Sequence, residues 1–270
     1  MSAVKLRLEN VGKSFTLADK TTTVAVQDFT LDIRAGEFLV IVGPSGCGKT
    51  TILNLLAGLE IASTGRMTID DRIIAGPGAE RGVMFQDYAL FPWRNVRGNV
   101  EFGLRFGPAG AGLSVADREE RVRATIELVG LTGAENKYPH QLSGGMRQRV
   151  ALARLIANEP GVLLMDEPLA ALDAQTRLIL QDELLRIWGQ DRDAPSRRTV
   201  VFITHAIDEA VFLADRVAVM TTNPGRLKQL IEIDLPRPRG DATRAAPRFH
   251  ALTQQIWALI RAEAFRATIT

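Results

Sequence analysis

The chain has 270 residues, of which 46% are hydrophobic and 24% charged, a composition that excludes a disordered or fibrous protein. Its 33 basic and 31 acidic residues leave a net charge of +2, too small to indicate nucleic-acid binding by charge alone. A single cysteine, Cys47, excludes an internal disulfide and a cysteine-based metal cluster. The apolar runs are about five residues long, a membrane span needs about 20, and residues 1–10 lack the core of a secretion signal. We therefore expect a cytosolic protein that can still dock on a membrane complex.

Strand patterns dominate the start of the chain and return later. Alternating apolar and polar side chains indicate half-exposed antiparallel strands at 4–8, 23–26 and 29–33. Uninterrupted apolar runs, typical of a parallel sheet covered on both faces, lie at 38–42, 162–165 and 200–203. Each of these runs leads into a polar or glycine-rich turn and then a helical pattern. The fold class is therefore predicted to be α/β.

The character of the sequence changes between Asp87 and Gln141, where glycines and prolines interrupt short helical pieces. The clearest of these pieces is Asp117–Val129. We interpret a region at about 87–157 as a helical subdomain inserted into the α/β core of a domain spanning 1–240.

The C-terminal part, 241–270, is predicted to be a separate amphipathic tail. Residues 236–240, Pro-Arg-Pro-Arg-Gly, have the composition of a linker. Beyond them, Phe249, Leu252, Ile256 and Leu259 recur at spacings of three and four, which predicts a helix that packs on its own domain.

A glycine-rich segment follows the apolar run 38–42. It matches the pattern G-x-x-x-x-G-K-[ST], and a helix is predicted from Thr51 to Ala57, with Gly58 placed to end it. Glycines let successive N–H groups turn inward around an anion, and a helix N-terminus adds the positive end of its dipole. Lys49 can neutralise the β- and γ-phosphates, and the Thr50 hydroxyl can bind Mg²⁺. The predicted nucleotide contacts are Gly43, Pro44, Ser45, Gly46, Cys47, Gly48, Lys49, Thr50 and Thr51. Cys47 has no role there beyond its place in the loop, and an exposed glycine turn is the alternative.

Two adjacent acids, Asp166 and Glu167, end the apolar run 162–165. Neighbouring side chains on a strand point to opposite sides, so one carboxylate can hold a metal's water shell while the other faces an attacking water. Asp166 suits the first task and Glu167 the second. The alternative is a solvated acidic pair, which a neighbouring phosphate loop disfavours.

Residues 142–149, Leu-Ser-Gly-Gly-Met-Arg-Gln-Arg, precede a helix predicted over Val150–Ala157. Ser143, Gly144 and Gly145 expose amides at a helix start, which makes a second anion-binding element. Since the chain already has one phosphate loop, a two-fold dimer accounts for the second element. In such a dimer, this element of each copy closes over the nucleotide held by the other.

The order and spacing of these motifs over about residues 4–235 closely resemble the ATP-binding subunits of ABC transporters. Beside the Walker A loop, the matching motifs are the Q-loop (83–86), the LSGGQ signature (142–146), the Walker B strand (163–167), the D-loop (171–173) and the switch histidine (204–205). The resemblance implies a RecA-like core, an antiparallel β subdomain and an inserted α-helical subdomain. Met146 departs from the glutamine of the signature, but that side chain does not supply the phosphate-binding donors.

The resemblance also implies roles for individual residues. Gln86 would reach Mg²⁺ and the attacking water, and His205 would contact the γ-phosphate and orient that water. Ser143 and Gly145 would bind the γ-phosphate of the partner copy. Asp173 would cross the dimer interface, and it could also cap the helix predicted at 174–188.

Phe15 lies where the family stacks an aromatic ring on adenine, usually a tyrosine. Phenylalanine keeps the stacking face, and a place in the core is the alternative reading. Lys49, Asp166, Glu167 and His205 are all present, so the resemblance implies an active ATPase that uses ATP and Mg²⁺.

An aromatic cluster, Tyr88–Trp93, follows the Q-loop. In the family, this neighbourhood receives a coupling helix of the membrane permease, and aromatic residues are favoured interface anchors. The alternative is that the rings fill the subdomain's own core. The resemblance implies a homodimer on the cytoplasmic face of the inner membrane, with separate permease subunits and a periplasmic solute-binding protein.

Local strings narrow the resemblance to the nitrate/sulfonate/taurine branch of importers. They are 80–86, 92–96, 223–226 and the helix beginning at 247. Two alternatives stay open: a soluble ABC ATPase acting on nucleic acid or ribosomes, and a P-loop kinase with a small acceptor. The near-neutral charge disfavours the first and predicts no nucleic-acid partner. A kinase has no use for residues 142–146.

Overall fold

The computed structural model describes residues 3–17, 19–189 and 197–269. The chain divides into two compact units, the first made of Met1–Gly78 with Trp188–Thr270 and the second of Ala79–Ile187. The limits proposed for the helical subdomain and the tail stay predictions. Within the described ranges, no helix combines the length and apolarity needed to cross a membrane.

The described strands and helices are as follows. The strands are β1 (Val4–Thr16), β2 (Thr22–Arg34), β3 (Phe38–Val42), β4 (Thr64–Ile69), β5 (Arg72–Ile73), β6 (Arg81–Met84), β7 (Val162–Asp166), β8 (Thr199–Ile203), β9 (Arg216–Met220) and β10 (Leu227–Glu232). The helices are α1 (Lys49–Ala57), α2 (Val96–Phe106), α3 (Val115–Leu128), α4 (Gly144–Ala157), α5 (Ala174–Trp188), α6 (Ile207–Leu213), α7 (Asp241–Arg244) and α8 (Pro247–Ile269). The α/β class predicted from the alternation of strands and helices is confirmed.

An antiparallel sheet in the order β2-β1-β4-β5 occupies part of the first unit. Leu6 and Leu8 of β1 are fully buried, while Arg7 between them is half-buried and Glu9 is exposed. The alternation therefore reports one covered face, as expected for an antiparallel sheet.

One long strand, β2, replaces the two strands predicted at 23–26 and 29–33. Residues 27 and 28 of β2 face only Gly12 of β1, and Asp28 has a left-handed backbone with φ of 50°. This is a β-bulge, which kinks a strand without ending it. Aspartate enters the left-handed region more readily than most residues, so a bulge forms in the gap between the two predicted strands.

A second sheet of the first unit has β3 between β8 and β9, parallel to both, with β10 antiparallel to β9. Every residue of β3 and β8 is buried, which explains their unbroken apolar runs. The terminal helix α8 packs against α6 and β9 of the same unit. Its predicted apolar face is buried at Phe249, Leu252 and Ile256 and half-buried at Leu259.

The second unit pairs β6 with β7 in parallel, and α2, α3 and α4 pack on one another. Two of its helices begin earlier than predicted: α3 at Val115 instead of Asp117, and α4 at Gly144 instead of Val150. The first follows the Ser114 cap, and the second follows Ser143, whose hydroxyl accepts a hydrogen bond from the Met146 N–H (3.3 Å). Caps, which hydrophobic periodicity does not register, fix these starts.

Candidate nucleotide site

The loop after β3 is folded tightly around its own backbone. Gly46 and Gly48 have left-handed φ angles of 74° and 92°. A Cβ on Gly43 would lie 2.8 Å from Cys47 Sγ, and one on Gly48 would lie 2.9 Å from the Ala25 carbonyl oxygen. Real Cβ atoms do not approach other atoms so closely, so these glycines are needed for close contact as well as for backbone conformation.

Lys49, the first residue of α1, folds back over this loop. Its Nζ donates hydrogen bonds to the Gly43 and Pro44 carbonyl oxygens, both at 3.0 Å, and the residue is only 7% exposed. These acceptors are neutral carbonyls, which a phosphate group can replace. The ammonium is therefore held where an anion seated in the loop would meet it.

Cys47 lies beneath the loop and is fully shielded from solvent. Burial raises the pKa of its thiol, and the neighbouring Lys49 opposes this only in part. A neutral thiol therefore packs against Gly43, a structural task that the sequence did not indicate.

A glycine far along the chain completes the support of the loop. The Gly225 N–H donates to the Ala25 carbonyl (3.0 Å), and the Gly225 carbonyl accepts from the Gln27 N–H (2.9 Å). A Cβ on Gly225 would overlap the Cys47 carbonyl oxygen. The string 223–226, noted only as a resemblance to one branch of importers, thus contacts the phosphate loop directly.

His205 leaves the sheet at the same edge as this loop. The parallel pairing of β3 with β8 sets Ile41 opposite Ile203. Gly43 lies two residues after Ile41, and His205 lies two residues after Ile203. The His205 side chain is exposed, and the Thr204 hydroxyl beside it accepts a hydrogen bond from the Ala206 N–H (3.0 Å). The structure therefore places His205 and Gly43 at the same edge of the sheet.

Phe15 is half-buried on β1, and the Lys13 ammonium lies 4.9 Å from its ring centroid. Lys13 in turn forms an ion pair with Glu60 (2.7 Å). The ring is thus held from one side by a cation–π contact. Its use for adenine stacking stays a prediction.

The second unit shows the same geometry for Gln86 and Glu167. The parallel pairing of β6 with β7 sets Met84 opposite Met165, so Gln86 and Glu167 each follow two residues after a paired position. Asp166 ends β7 and is 8% exposed, whereas Glu167 is half-buried and Gln86 exposed.

The direction of the Glu167 side chain has a different cause from the one predicted. The sequence argument took Asp166 and Glu167 as consecutive strand residues that point to opposite sides. Glu167 lies beyond β7 and has a left-handed backbone with φ of 44°. A turn, and not the pleat of a strand, therefore aims this carboxylate. Such a conformation costs a non-glycine residue on the order of 1–3 kcal/mol and is often found at functional sites.

The signature residues lie at the start of α4, where Gly144 and Gly145 are half-buried. Ser143 is exposed, and because its oxygen accepts the Met146 N–H, its own O–H remains able to donate. Gly144 and Gly145 are the first helical residues, and a Cβ on Gly145 would lie 3.0 Å from Thr176 Cγ2.

Asp173 caps the start of α5, which is one of the two roles predicted for it; the other, crossing a dimer interface, stays a prediction. Its Oδ1 accepts the Thr176 N–H at 2.9 Å, and this hydrogen bond lowers the pKa of its carboxyl. The residue is exposed at the start of the helix.

The aromatic cluster after Gln86 divides into a buried and an exposed part. Tyr88 is 8% exposed, and Phe91 packs on Phe102 with ring centroids 4.4 Å apart. Trp93 is 71% exposed. The alternative reading of these rings as core therefore applies to Tyr88 and in part to Phe91, and the use of Trp93 as a docking surface stays a prediction.

Arg154 of α4 is the main residue that sequence reasoning missed in this region. Its guanidinium donates to the carbonyl oxygens of Tyr88 (2.7 Å) and Ala89 (2.6 Å). Both of these residues have left-handed backbones, with φ of 63° and 43°. One arginine thus ties the helix that begins at the signature to the segment that follows Gln86.

Comparison with known proteins agrees with this arrangement of motifs. A family model described as ABC transporter matches residues 26–170. The chain belongs to the ABC transporter family. It is accordingly an ATP-binding protein and an ATPase.

Relatives align over most of their length. The uncharacterized ABC transporter ATP-binding protein MJ0412 of Methanocaldococcus jannaschii is 50% identical, covering 87% of this chain and 85% of that protein. The aliphatic sulfonates import ATP-binding protein SsuB of Bacillus licheniformis is 44% identical, covering 87% and 86%. The nitrate import ATP-binding protein NrtD of Synechococcus elongatus is also 44% identical, covering 92% and 88%. The dimeric structure of MJ0796, a bacterial ABC transporter cassette, is similar with a TM-score of 0.73 at 30% identity, covering 87% of this chain and 99% of that one.

Proposed function

We propose that this chain powers import of a small solute through a separate membrane permease. ATP binding closes a pair of chains, and hydrolysis opens it. The observation that carries the proposal is the pairing of functional residues at strand ends. Gly43 with His205 in one unit, and Gln86 with Glu167 in the other, each leave adjacent parallel strands in register.

Within this proposal, the loop from Gly43 to Thr51 holds the phosphates of ATP. Lys49 exchanges its two carbonyl acceptors for phosphate oxygens, which places its charge against the triphosphate. Glu167 accepts a proton from the attacking water, and His205 orients that water at the γ-phosphate. Phe15 stacks on adenine.

Mg²⁺ suits the oxygen donors that these motifs offer. Thr50 presents a hydroxyl at the exposed start of α1, Asp166 a carboxylate, and Gln86 an amide oxygen. When bound there, the ion would offset negative charge on the β- and γ-phosphates. The buried position of Asp166 lowers the competition from water for this carboxylate.

Closure of the pair is proposed to use the start of α4. The Ser143 hydroxyl and the amides of Gly144 and Gly145 would bind the γ-phosphate held by a second copy, with Asp173 crossing the interface. Negative charge would then lie between positive helix ends of two chains, and loss of phosphate would remove the attraction. The dimer of a bacterial ABC transporter cassette with 30% identity supports this arrangement.

The cargo and partners are inferred from two named relatives. The names of SsuB and NrtD assign import of aliphatic sulfonates and nitrate to those proteins. We infer nitrate, a sulfonate, taurine or a similar compound here, delivered by a periplasmic binding protein, with the chain peripheral on the cytoplasmic face of the membrane. Trp93 would contact the permease, because an exposed indole in the segment that follows Gln86 is a favoured interface anchor for a docked helix.

Substitution of Glu167 by Gln tests the mechanism. We expect ATP turnover to stop while ATP stabilises a dimer, measured by size-exclusion chromatography with light scattering. Glu159→Gln is a matched control, because Glu159 is also a glutamate of the second unit with a left-handed backbone (φ 48°), and it should leave turnover unchanged. A Glu167→Gln protein that stays monomeric at saturating ATP would contradict the closure step.

Substitution of Trp93 by Ala tests the partner. Co-expressed with the subunits of a candidate membrane permease, this variant should recover less permease on purification than the parent chain. Trp257→Ala, which removes a 47% exposed indole from α8, should recover as much as the parent. Equal loss in both variants, or co-purification of nucleic acid in place of permease, would overturn the assignment.

A further inference from the structure

The segment after β10 contacts α6, the helix that follows His205. We propose that Arg239 is a positioning residue for His205: it fixes the far end of α6, so that the C-terminal segment 236–269 sets the rate of ATP hydrolysis. The inference rests on the role of His205 in the proposed function. The sequence had assigned residues 236–240 to a linker.

The Arg239 side chain is buried, with 3% of the residue exposed. Its guanidinium donates hydrogen bonds to backbone carbonyls of two separate segments. The acceptors are Val211 (3.3 Å), Phe212 (2.9 Å), Ala214 (2.7 Å), Ile233 (3.4 Å) and Leu235 (3.4 Å). Val211 and Phe212 lie in the last turn of α6 and Ala214 directly follows it. Carbonyls at this end lack intrahelical partners, and a positive charge meets the negative end of the helix dipole.

Two neighbouring arginines of the same segment contact the same end of α6. Arg237 donates to the Leu213 carbonyl (2.9 Å) and to the Asp215 carboxylate (2.9 Å). Arg244 of α7 lies 3.5 Å from the centroid of the Phe212 ring. The C-terminal segment thus holds the end of α6 by hydrogen bonds to its backbone and by a cation–π contact with the Phe212 ring.

Only a short helix separates His205 from the end of α6 that these arginines contact. The helix has seven residues, about 10 Å at 1.5 Å per residue, and it begins two positions after His205. On the other side of His205, the Thr204 N–H contacts the Ile41 carbonyl of β3 (3.4 Å). His205 therefore lies between β8, which is paired with β3, and the short helix α6. A shift at the far end of α6 would move the His205 imidazole.

A buried guanidinium is costly unless its N–H groups are satisfied, and an apolar side chain could fill the same space without that cost. What arginine adds is a planar set of five donors that can bridge two backbone segments at once. A lysine would offer a point charge with three donors and could hold only part of this set. The geometry therefore favours a positioning task over simple filling of the core.

The experiment compares Arg239→Met and Arg239→Lys in the full chain by steady-state ATPase kinetics and ATP binding. Since a displacement of about 1 Å at a catalytic group costs about 100-fold, we expect kcat to fall by about 10- to 100-fold in Arg239→Met. ATP affinity should stay the same, because the phosphate loop lies on other elements. Arg239→Lys should recover part of kcat. Hydrogen exchange of the α6 amides should accelerate in the same order.

Controls separate positioning from stability and from the proposed function. Arg248→Ala, which breaks an exposed pair with Asp234, and Ile33→Val, which loosens the antiparallel sheet, should leave kcat unchanged. A loss of kcat in Ile33→Val as large as that in Arg239→Lys at equal stability would overturn the inference. His205→Ala is run in parallel: full turnover in that variant refutes the role of His205. Lost turnover in His205→Ala with full turnover in Arg239→Met refutes positioning by Arg239 alone.

If Arg239→Met does not fold, Arg244→Ala carries the test. It removes the contact with the Phe212 ring and a pair with the exposed Asp241 (3.4 Å), and it should lower kcat in the same direction, by less, with ATP affinity unchanged. An unchanged kcat together with unchanged exchange of the α6 amides would overturn the inference.

Discussion

Gly48 offers a sharp test of how the phosphate loop is held. An alanine here would place its Cβ 2.9 Å from the Ala25 carbonyl oxygen and 3.0 Å from Val26 Cγ2. The left-handed backbone (φ 92°) would cost alanine about 1–2 kcal/mol. The contact would cost about 1–3 kcal/mol more, because the carbonyl belongs to a paired strand and cannot rotate away. We therefore expect Gly48→Ala to lower the free energy of unfolding by about 2–5 kcal/mol.

The chain supplies two matched controls for this change. Gly46 and Gly112 have left-handed backbones with φ of 74° and 81°, and a Cβ on either meets no atom within 4 Å. Their alanine variants should carry only the backbone cost, about 1–2 kcal/mol. Urea unfolding followed by circular dichroism measures all three variants. Equal losses in Gly48→Ala and Gly46→Ala would refute the claim that β2 presses against the loop.

Three further predictions concern groups away from the reacting atoms. Asp215 is buried, which opposes its ionisation, but Arg237, the hydrogen bond from the Phe38 N–H and Arg197 together outweigh burial and lower the pKa of its carboxyl. Asp215→Asn should therefore destabilise the fold by about 3 kcal/mol above pH 4, and the difference from the parent should shrink as pH falls below that value, measured by urea unfolding at each pH. Arg154→Met should accelerate hydrogen exchange at residues 88–91 without altering ATP affinity, and unchanged exchange there would count against the tie between α4 and this segment. The Cys47 thiol, with its raised pKa and full burial, should react with iodoacetamide far more slowly than free cysteine at pH 8; a rate near that of the free amino acid would contradict its place beneath the loop.

The fold class and the motifs were predictable because both depend on local patterns. A run such as 38–42, apolar at every position, has few alternatives to a strand covered on both faces, and β3 is such a strand. The G-x-x-x-x-G-K-[ST] pattern likewise requires only eight consecutive residues. The terminal helix followed from spacing alone, since one face of α8 is buried as predicted.

What could not be predicted depends on residues that meet from distant parts of the chain. Arg154 and Arg239 satisfy backbone carbonyls that carry no sequence signal, and an arginine in a Pro-Arg-Pro-Arg string has the composition of a linker. The bulge at Asp28 and the left-handed backbone of Glu167 are single dihedral choices, which a propensity argument does not resolve. Helix starts were late wherever a serine cap lay outside the apolar pattern.

The phosphate loop is held mainly by contacts between backbone atoms. The backbones of Ala25, Gly48 and Gly225 lie in close contact, and the Val26 side chain borders the same contact. Because backbone atoms make most of this contact, few side-chain rotamers can change there on warming. We therefore expect the phosphate loop to keep its conformation until β2 unfolds. ATP binding should therefore be lost in the same cooperative step in which the antiparallel sheet unfolds.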